Sequence, residues 1–265
     1  MNRPHHTAAP RSEFADALRK GLLIGAAVLT VVLPPVLTVS PPAKAPQAAV
    51  RPAPTAPVPA VRSKRLADFA GAKPSQDVRR MAHWVVQSGD HRRMAFVIVD
   101  KKEAKVYAFD PRGRLQAAVP ALLGSARGDH TVPGIGDKPV AQVLPEERTT
   151  PAGRFVAEMG MSSSRGEDVV WVDYDAAVSM HRVIKVPERL QALSSPSNDD
   201  NRMSYGCINL PAGFFEDVLR PLVKGSGAVI YVLPETRPLQ EVFASFHDVA
   251  APLKVAHSKA EASAP

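Results

Sequence analysis

Cysteine is almost absent: the 265-residue chain contains one, Cys207. That excludes an intramolecular disulfide and any zinc site built from several thiolates. A lone cysteine is either a small buried hydrophobe or a nucleophile, and its neighbours must decide. Charge of one sign is also missing from most of the chain. The formal net charge is +7, yet residues 66–265 carry 24 acids and 24 Lys or Arg, so the whole excess sits in residues 1–65. A domain that grips phosphates needs a basic patch of its own, which argues against a nucleic-acid partner. No internal repeat is present. At 45% hydrophobic and 22% charged, the composition excludes a collagen, a wholly disordered chain and a polytopic membrane protein. The glycine-rich stretch 124–137 lacks the Gly-Lys-Ser/Thr ending and following helix of a nucleotide loop, and His130 there has no second ligand at metal spacing. No metal or organic cofactor is expected.

What is present divides the chain into segments. Residues 1–20 are polar and end in Arg19 and Lys20. Residues 21–39 carry no charge, and a membrane-crossing helix needs about 20 apolar residues. Ala43-Lys44-Ala45 is the nearest small-residue cleavage site, but Pro46 follows it, which favours an uncleaved signal anchor over a cleaved signal. The basic flank predicts a cytoplasmic N-terminus, a membrane anchor and an exported remainder. Residues 34–59 hold nine of the 26 prolines, so 40–64 is an extended spacer. Residues 65–90 read as a helical lead-in broken near Lys73-Pro74, 91–235 as the main domain, and 236–265 as a C-terminal helix and tail.

Within the main domain, strands are expected at 94–99, 105–109, 115–119, 153–159, 169–172, 177–183 and 228–233. Helices are expected at 187–193, 211–223 and 238–249, the first two with proline in the first turn. Many short strands and few helices predict a mostly-β, β-rich α+β domain built as a sandwich or open barrel with peripheral helices.

The chemistry centres on Ser204-Tyr205-Gly206-Cys207-Ile208-Asn209-Leu210. Glycine beside a nucleophile permits a sharp turn and close backbone approach to substrate. Backbone N–H groups of such a turn can face a developing oxyanion. A thiol needs a base, and among eight histidines His181 ends the apolar run 177–180 and would be held rigidly by a strand. Spacing alone favours a core or surface histidine over a base.

This string, the upstream His181 and Thr149-Thr150-Pro151-Ala152-Gly153-Arg154-Phe155 together resemble the L,D-transpeptidase (YkuD-like) catalytic domain, over roughly residues 94–233. The resemblance implies acyl transfer on peptidoglycan stem peptides. Cys207 would be the nucleophile and His181 its general base and acid. The N–H groups of Gly206 and Cys207 would form the oxyanion hole, Ser204 and Asn209 would shape the site, and the carbonyl of Arg182 would orient the imidazole. The acyl acceptor would be an amine of a second stem, a lipoprotein lysine, or water; water would make the protein an L,D-carboxypeptidase. A catalytically silent wall-binding domain is the competing reading.

Three departures from the family pattern bear on these roles. Tyr205 stands where the family commonly has His, and a phenol is a weak base near neutrality. Arg182 follows the base where a small residue is usual. The gap from His181 to Ser204 is long, with the excess in the polar stretch 194–203, which reads equally as a lid or as a solvated insertion.

Overall fold

The computed structural model describes residues 65–162 and 166–249. The expected cytoplasmic segment, anchor and spacer (1–20, 21–39 and 40–64) lie outside the described residues. Among the described residues no helix is long and apolar enough to cross a membrane.

Ten strands form: β1 (Ala95–Asp100), β2 (Lys105–Phe109), β3 (Leu115–Pro120), β4 (Leu123–Gly124), β5 (Gly153–Met161), β6 (Asp168–Asp173), β7 (Val178–Arg182), β8 (Arg202–Ser204), β9 (Ile208–Leu210) and β10 (Ala228–Val232). Eight of them make one sheet in the order β3-β2-β1-β10-β5-β6-β7-β9, while β4 and β8 pair separately. Leu122, just past β3, exchanges two 2.9 Å backbone hydrogen bonds with Asn209 in β9. The last strand of the sheet is thereby tied to the chain leaving the first, and the sheet nearly closes. The mostly-β expectation holds.

The central strands are apolar on both faces, which is why they read as unbroken runs rather than alternations. Ala95, Val97 and Val99 of β1 enter one core cluster with Met180, Ile208, Leu210 and Ile230. Phe96 and Ile98 enter a second with Val78, Met81, Trp84, Val85 and Tyr231. The second cluster is covered by α1 (Gln76–Ser88), which Ser75 caps by accepting the Val78 N–H at 3.3 Å, and which Gly89 ends at φ 71°. The lead-in helix thus shares a core with the sheet. The first cluster is covered by a helix running from α3 (Ala212–Phe214) through a π turn (Phe215–Leu219) into α4 (Arg220–Ser226). The wider π turn lets the helix pass Pro221, which has no N–H to give. In α2 (Pro187–Ser194), Ala192 packs with Leu122 and Val183.

Two helical expectations fail. The stretch before Pro74 is extended: Asp68 forms a bridge with Arg114, and the Ala67 N–H donates to His83 Nδ1 at 3.2 Å. The C-terminal helix is only α5 (Leu239–Val242), because Phe243 and Phe246 leave helical geometry to bury against Tyr231 and Trp84. The polar stretch after α2 is tied to neighbouring segments by side-chain hydrogen bonds. Asn198 donates to Lys102 O at 2.8 Å, Asn201 to Ala121 O at 2.9 Å, and Arg202 to Lys101 O at 2.7 Å.

A buried ionic cluster pins the loops at residues 128–129, 150 and 235–236. Lys101, fully buried, donates to Gly128 O at 2.5 Å, Asp129 Oδ1 at 2.8 Å and Thr150 O at 2.9 Å. Asp129 also accepts from the Glu235 and Thr236 N–H groups, at 2.8 and 3.0 Å, and from the Thr236 hydroxyl. Burial alone would raise the Asp129 carboxyl, but the Lys101 and Thr236 hydrogen bonds outweigh it and hold it well below the usual carboxylate range. A carboxyl whose folded value lies below its unfolded value stabilises fully above about pH 4 and loses that contribution as pH falls toward the folded value. Urea titrations of the wild type and Asp129→Asn are therefore expected to differ strongly at pH 7 and to converge below pH 4. A constant difference across that range would contradict the assignment.

Candidate active site

β7 and β9 run parallel and in register, with Met180 opposite Ile208, His181 opposite Asn209 and Arg182 opposite Leu210. Met180, Ile208 and Leu210 face the core, so alternation sends Ser179, His181 and Asn209 to the other face. Cys207, two residues before Asn209, joins them: its Sγ lies 3.8 Å from Ser179 Oγ and 3.6 Å from Ala177 O. The thiol and the imidazole expected as its base are thus brought to one face of two neighbouring strands.

The ring is oriented by groups of fixed polarity. His181 Nδ1 lies 2.8 Å from Arg182 O. A carbonyl can only accept, so Nδ1 carries the proton and Nε2 presents a lone pair. Asn209 Nδ2 donates to that Nε2 at 3.3 Å and to Cys207 O at 3.3 Å. The amide cannot flip, because Arg189 Nη1, a pure donor, holds Oδ1 at 2.5 Å while its Nη2 donates to Met203 O at 3.2 Å. The departure at Arg182 leaves the imidazole contact intact. Its side chain projects to the opposite face, pairs with Asp168 at 2.7 Å and Glu216 at 2.5 Å, and lies 4.2 Å over Phe215.

The turn carrying the thiol is clamped from two sides. Gly206 has φ +125°, and a Cβ there would sit 2.8 Å from Thr149 O. No other residue fits that conformation and that gap without strain. Thr150 Oγ1 donates to Gly206 O at 2.8 Å and accepts the Gly124 N–H at 2.9 Å. Ser204 Oγ donates to Cys207 O at 2.6 Å and accepts the Gly206 N–H at 3.1 Å. The Gly206 N–H, expected as an oxyanion donor, is therefore spent inside the turn. Ala177, whose carbonyl touches the thiol, is a non-glycine residue at φ 52°, and Gly136 presses against the same turn at Asp175. Tyr205 is 46% exposed and carries the guanidinium of Arg148 at 4.1 Å from its ring centroid.

Sequence reasoning named Cys207, His181, Ser204, Tyr205, Gly206, Asn209 and Arg182, and all of them surround this turn. It missed Ser179, Thr150, Arg189 and Arg148 as site residues. Ser179 was findable as the residue two before His181 on a strand, and Thr150 lies in the Thr-Pro segment. Arg189 and Arg148 carry no local signal. Among the described residues no three His, Cys, Asp or Glu side chains group as metal ligands.

No family model matches the chain, and no curated protein does. Solved structures show a distant likeness. A mutant L,D-transpeptidase from Enterococcus faecium has 16% identity and a TM-score of 0.33, with 53% of this chain and 50% of that chain covered. An L,D-transpeptidase from Stackebrandtia nassauensis has 15% identity and a TM-score of 0.32, with 55% and 57% covered. A fused Zn-dependent amidase/peptidase/peptidoglycan-binding domain-containing protein from Clostridium acetobutylicum has 18% identity and a TM-score of 0.34, with 68% and 70% covered. The chain thus spans about half the length of the first two.

Replacing Thr150 by valine keeps the shape but strands the Gly206 carbonyl and the Gly124 N–H in a buried place. The expected cost is about 1–3 kcal/mol, read from the urea midpoint, with most of it recovered by Thr150→Ser.

Proposed function

We propose that this chain is an L,D-transpeptidase-like acyltransferase of the peptidoglycan, using Cys207 as nucleophile and His181 as general base and acid. The observation that carries the reading is the placement of a thiol and a tautomer-locked imidazole on one face of two parallel strands, within the motif whose resemblance names the substrate. The Cys207 thiol adds to the carbonyl of the third stem residue, and its proton passes to His181 Nε2. That proton then goes to the departing amine as the C–N bond breaks and D-alanine leaves. The resulting thioester is taken by an amine of a second stem, which restores the thiol. With the Gly206 N–H engaged by Ser204, the Cys207 N–H is the remaining donor of the expected pair for the oxyanion. When Nε2 takes the proton it can no longer accept from Asn209 Nδ2, which keeps its bond to Cys207 O. Residues 21–39 would hold the domain at the inner membrane, with the spacer reaching into the periplasm.

Incubating the purified chain with disaccharide-tetrapeptide is expected to give crosslinked dimer and free D-alanine by mass spectrometry, and Cys207→Ala neither. D-alanine and tripeptide without dimer would instead assign the carboxypeptidase reading. A wild type that forms no product and no thioester would leave only a wall-binding role.

Arg189 acts on this reaction through Asn209. Arg189→Met frees the amide to turn its oxygen toward Nε2, so acylation is expected to slow by about 10- to 100-fold. The loss should fall in kcat, with KM nearly unchanged and the urea midpoint shifted far less than in Thr150→Val. An equal loss in KM would mark Arg189 as merely structural.

A further inference from the structure

Arg148 stands beside the Cys207 turn with no acid paired to it among the described residues. Its guanidinium stacks on Tyr205 at 4.1 Å and its Nη2 donates to Val143 O at 3.1 Å. Its Nε is buried with no hydrogen-bond partner. Other arginines that brace the fold have their donors committed: Arg154, Arg182 and Arg202 each meet a carboxylate within 2.7 Å, and Arg189 bonds Asn209 Oδ1 and Met203 O. The acid next to Arg148 in sequence, Glu147, is committed to Lys138 at 2.6 Å and to the Leu144 N–H at 2.8 Å.

The backbone that carries Arg148 is fixed. Its carbonyl accepts the Ala126 N–H at 3.1 Å, and the next residue donates from Thr149 Oγ1 to His130 O at 2.5 Å. Thr149 O is the atom against which Gly206 is wedged. The cation and the thiol turn are therefore built on one rigid junction. Stacking occupies the face of the guanidinium and leaves its edge, where the N–H donors lie, for an in-plane acceptor. Nε is closed to solvent and so to a ligand, and one Nη2 donor is spent on Val143 O. The outer Nη1–Nη2 edge, which meets no acid among the described residues, is matched by a carboxylate.

We propose that Arg148, stacked on Tyr205, binds a carboxylate of the acyl-donor peptide beside Cys207. The proposal rests on the reading of Cys207 as an acyl-transfer nucleophile. Of the carboxylates a stem tetrapeptide carries, the two nearest the bond that breaks are the terminal α-carboxylate and the side-chain carboxylate of a diamino diacid at position three. Tyr205 takes a defined part in this: it is the platform on which the guanidinium lies.

The test compares the tetrapeptide with two analogues, one amidated at each carboxylate. Affinity is measured calorimetrically on the full chain carrying Cys207→Ala, with and without Arg148→Gln, and KM is measured on the chain with its thiol. Amidating the bound carboxylate is expected to weaken binding by about 10- to 100-fold, and the analogue that loses affinity identifies which carboxylate is held. Arg148→Gln should weaken the parent peptide by a similar factor and leave that analogue unaffected. Equal losses on all three peptides, or none on any, would overturn the proposal. The peptide series on the chain with Arg148 intact decides the matter even if Arg148→Gln folds poorly. Turnover without discrimination between acid and amide removes the carboxylate site alone. A chain that neither binds nor turns over any of the three removes the transpeptidase reading together with it.

Discussion

The site depends on the seating of one three-residue strand. β9 is too short to hold a register by itself. It is set from both edges, by β7 in parallel and by the two backbone bonds to Leu122. Ile208 and Leu210 are fully buried, so a slip of one residue would drive Asn209 into the core and carry Cys207 to the wrong face. Hydrophobic burial on one side of the strand thus fixes polar chemistry on the other. The imidazole inherits its position from the same register, because His181 is the residue opposite Asn209.

The second constraint is the close passage of residues 148–150 behind the thiol turn. The segment comes near enough to Gly124 and Gly206 that neither position has room for a Cβ. Thr150 holds both glycines with one hydroxyl, and its own carbonyl is held by Lys101. A buried ion pair is weak evidence for stability, since desolvating two charges offsets most of their attraction. Its geometric effect is plainer. Three directed bonds from one ammonium set Gly128, Asp129 and Thr150 around a single point, and the thiol turn is built on the last of these.

The parts that sequence made legible are those where one residue type answers to one force. β2 matched its expected limits and the other long strands came within two residues of theirs, because β-branched and aromatic runs have few other uses. β8 and β9 were invisible as strands: Arg202, Ser204 and Asn209 are polar, and their pairing is imposed by distant partners. The lead-in failed where Asp68 found a strand partner 46 residues away in Arg114. Arg182 looked like an obstacle because the sequence reports a side chain, whereas the site uses its carbonyl and strand alternation turns the guanidinium to the opposite face. The engaged Gly206 N–H was hidden for a similar reason, since the length of the turn does not reveal that Ser204 folds back across it.

The tyrosine in the motif changes what the site can read. A histidine at position 205 would place a second imidazole beside the turn and leave the assignment of the base divided. Tyr205 leaves the tautomer-locked His181 as the imidazole whose partners also bond the Cys207 backbone. Its ring instead gives Arg148 a surface to lie on. That matters because the region from residue 66 onward carries equal numbers of acids and bases, with the chain's +7 confined to residues 1–65. A neutral domain exerts no long-range pull on an anionic polymer, so any preference for a charged substrate has to come from a cation placed at the reacting group. At the Cys207 turn Arg148 lies on an aromatic ring and is met by no acid among the described residues, and under the proposed reading it is the cation that would supply such a preference.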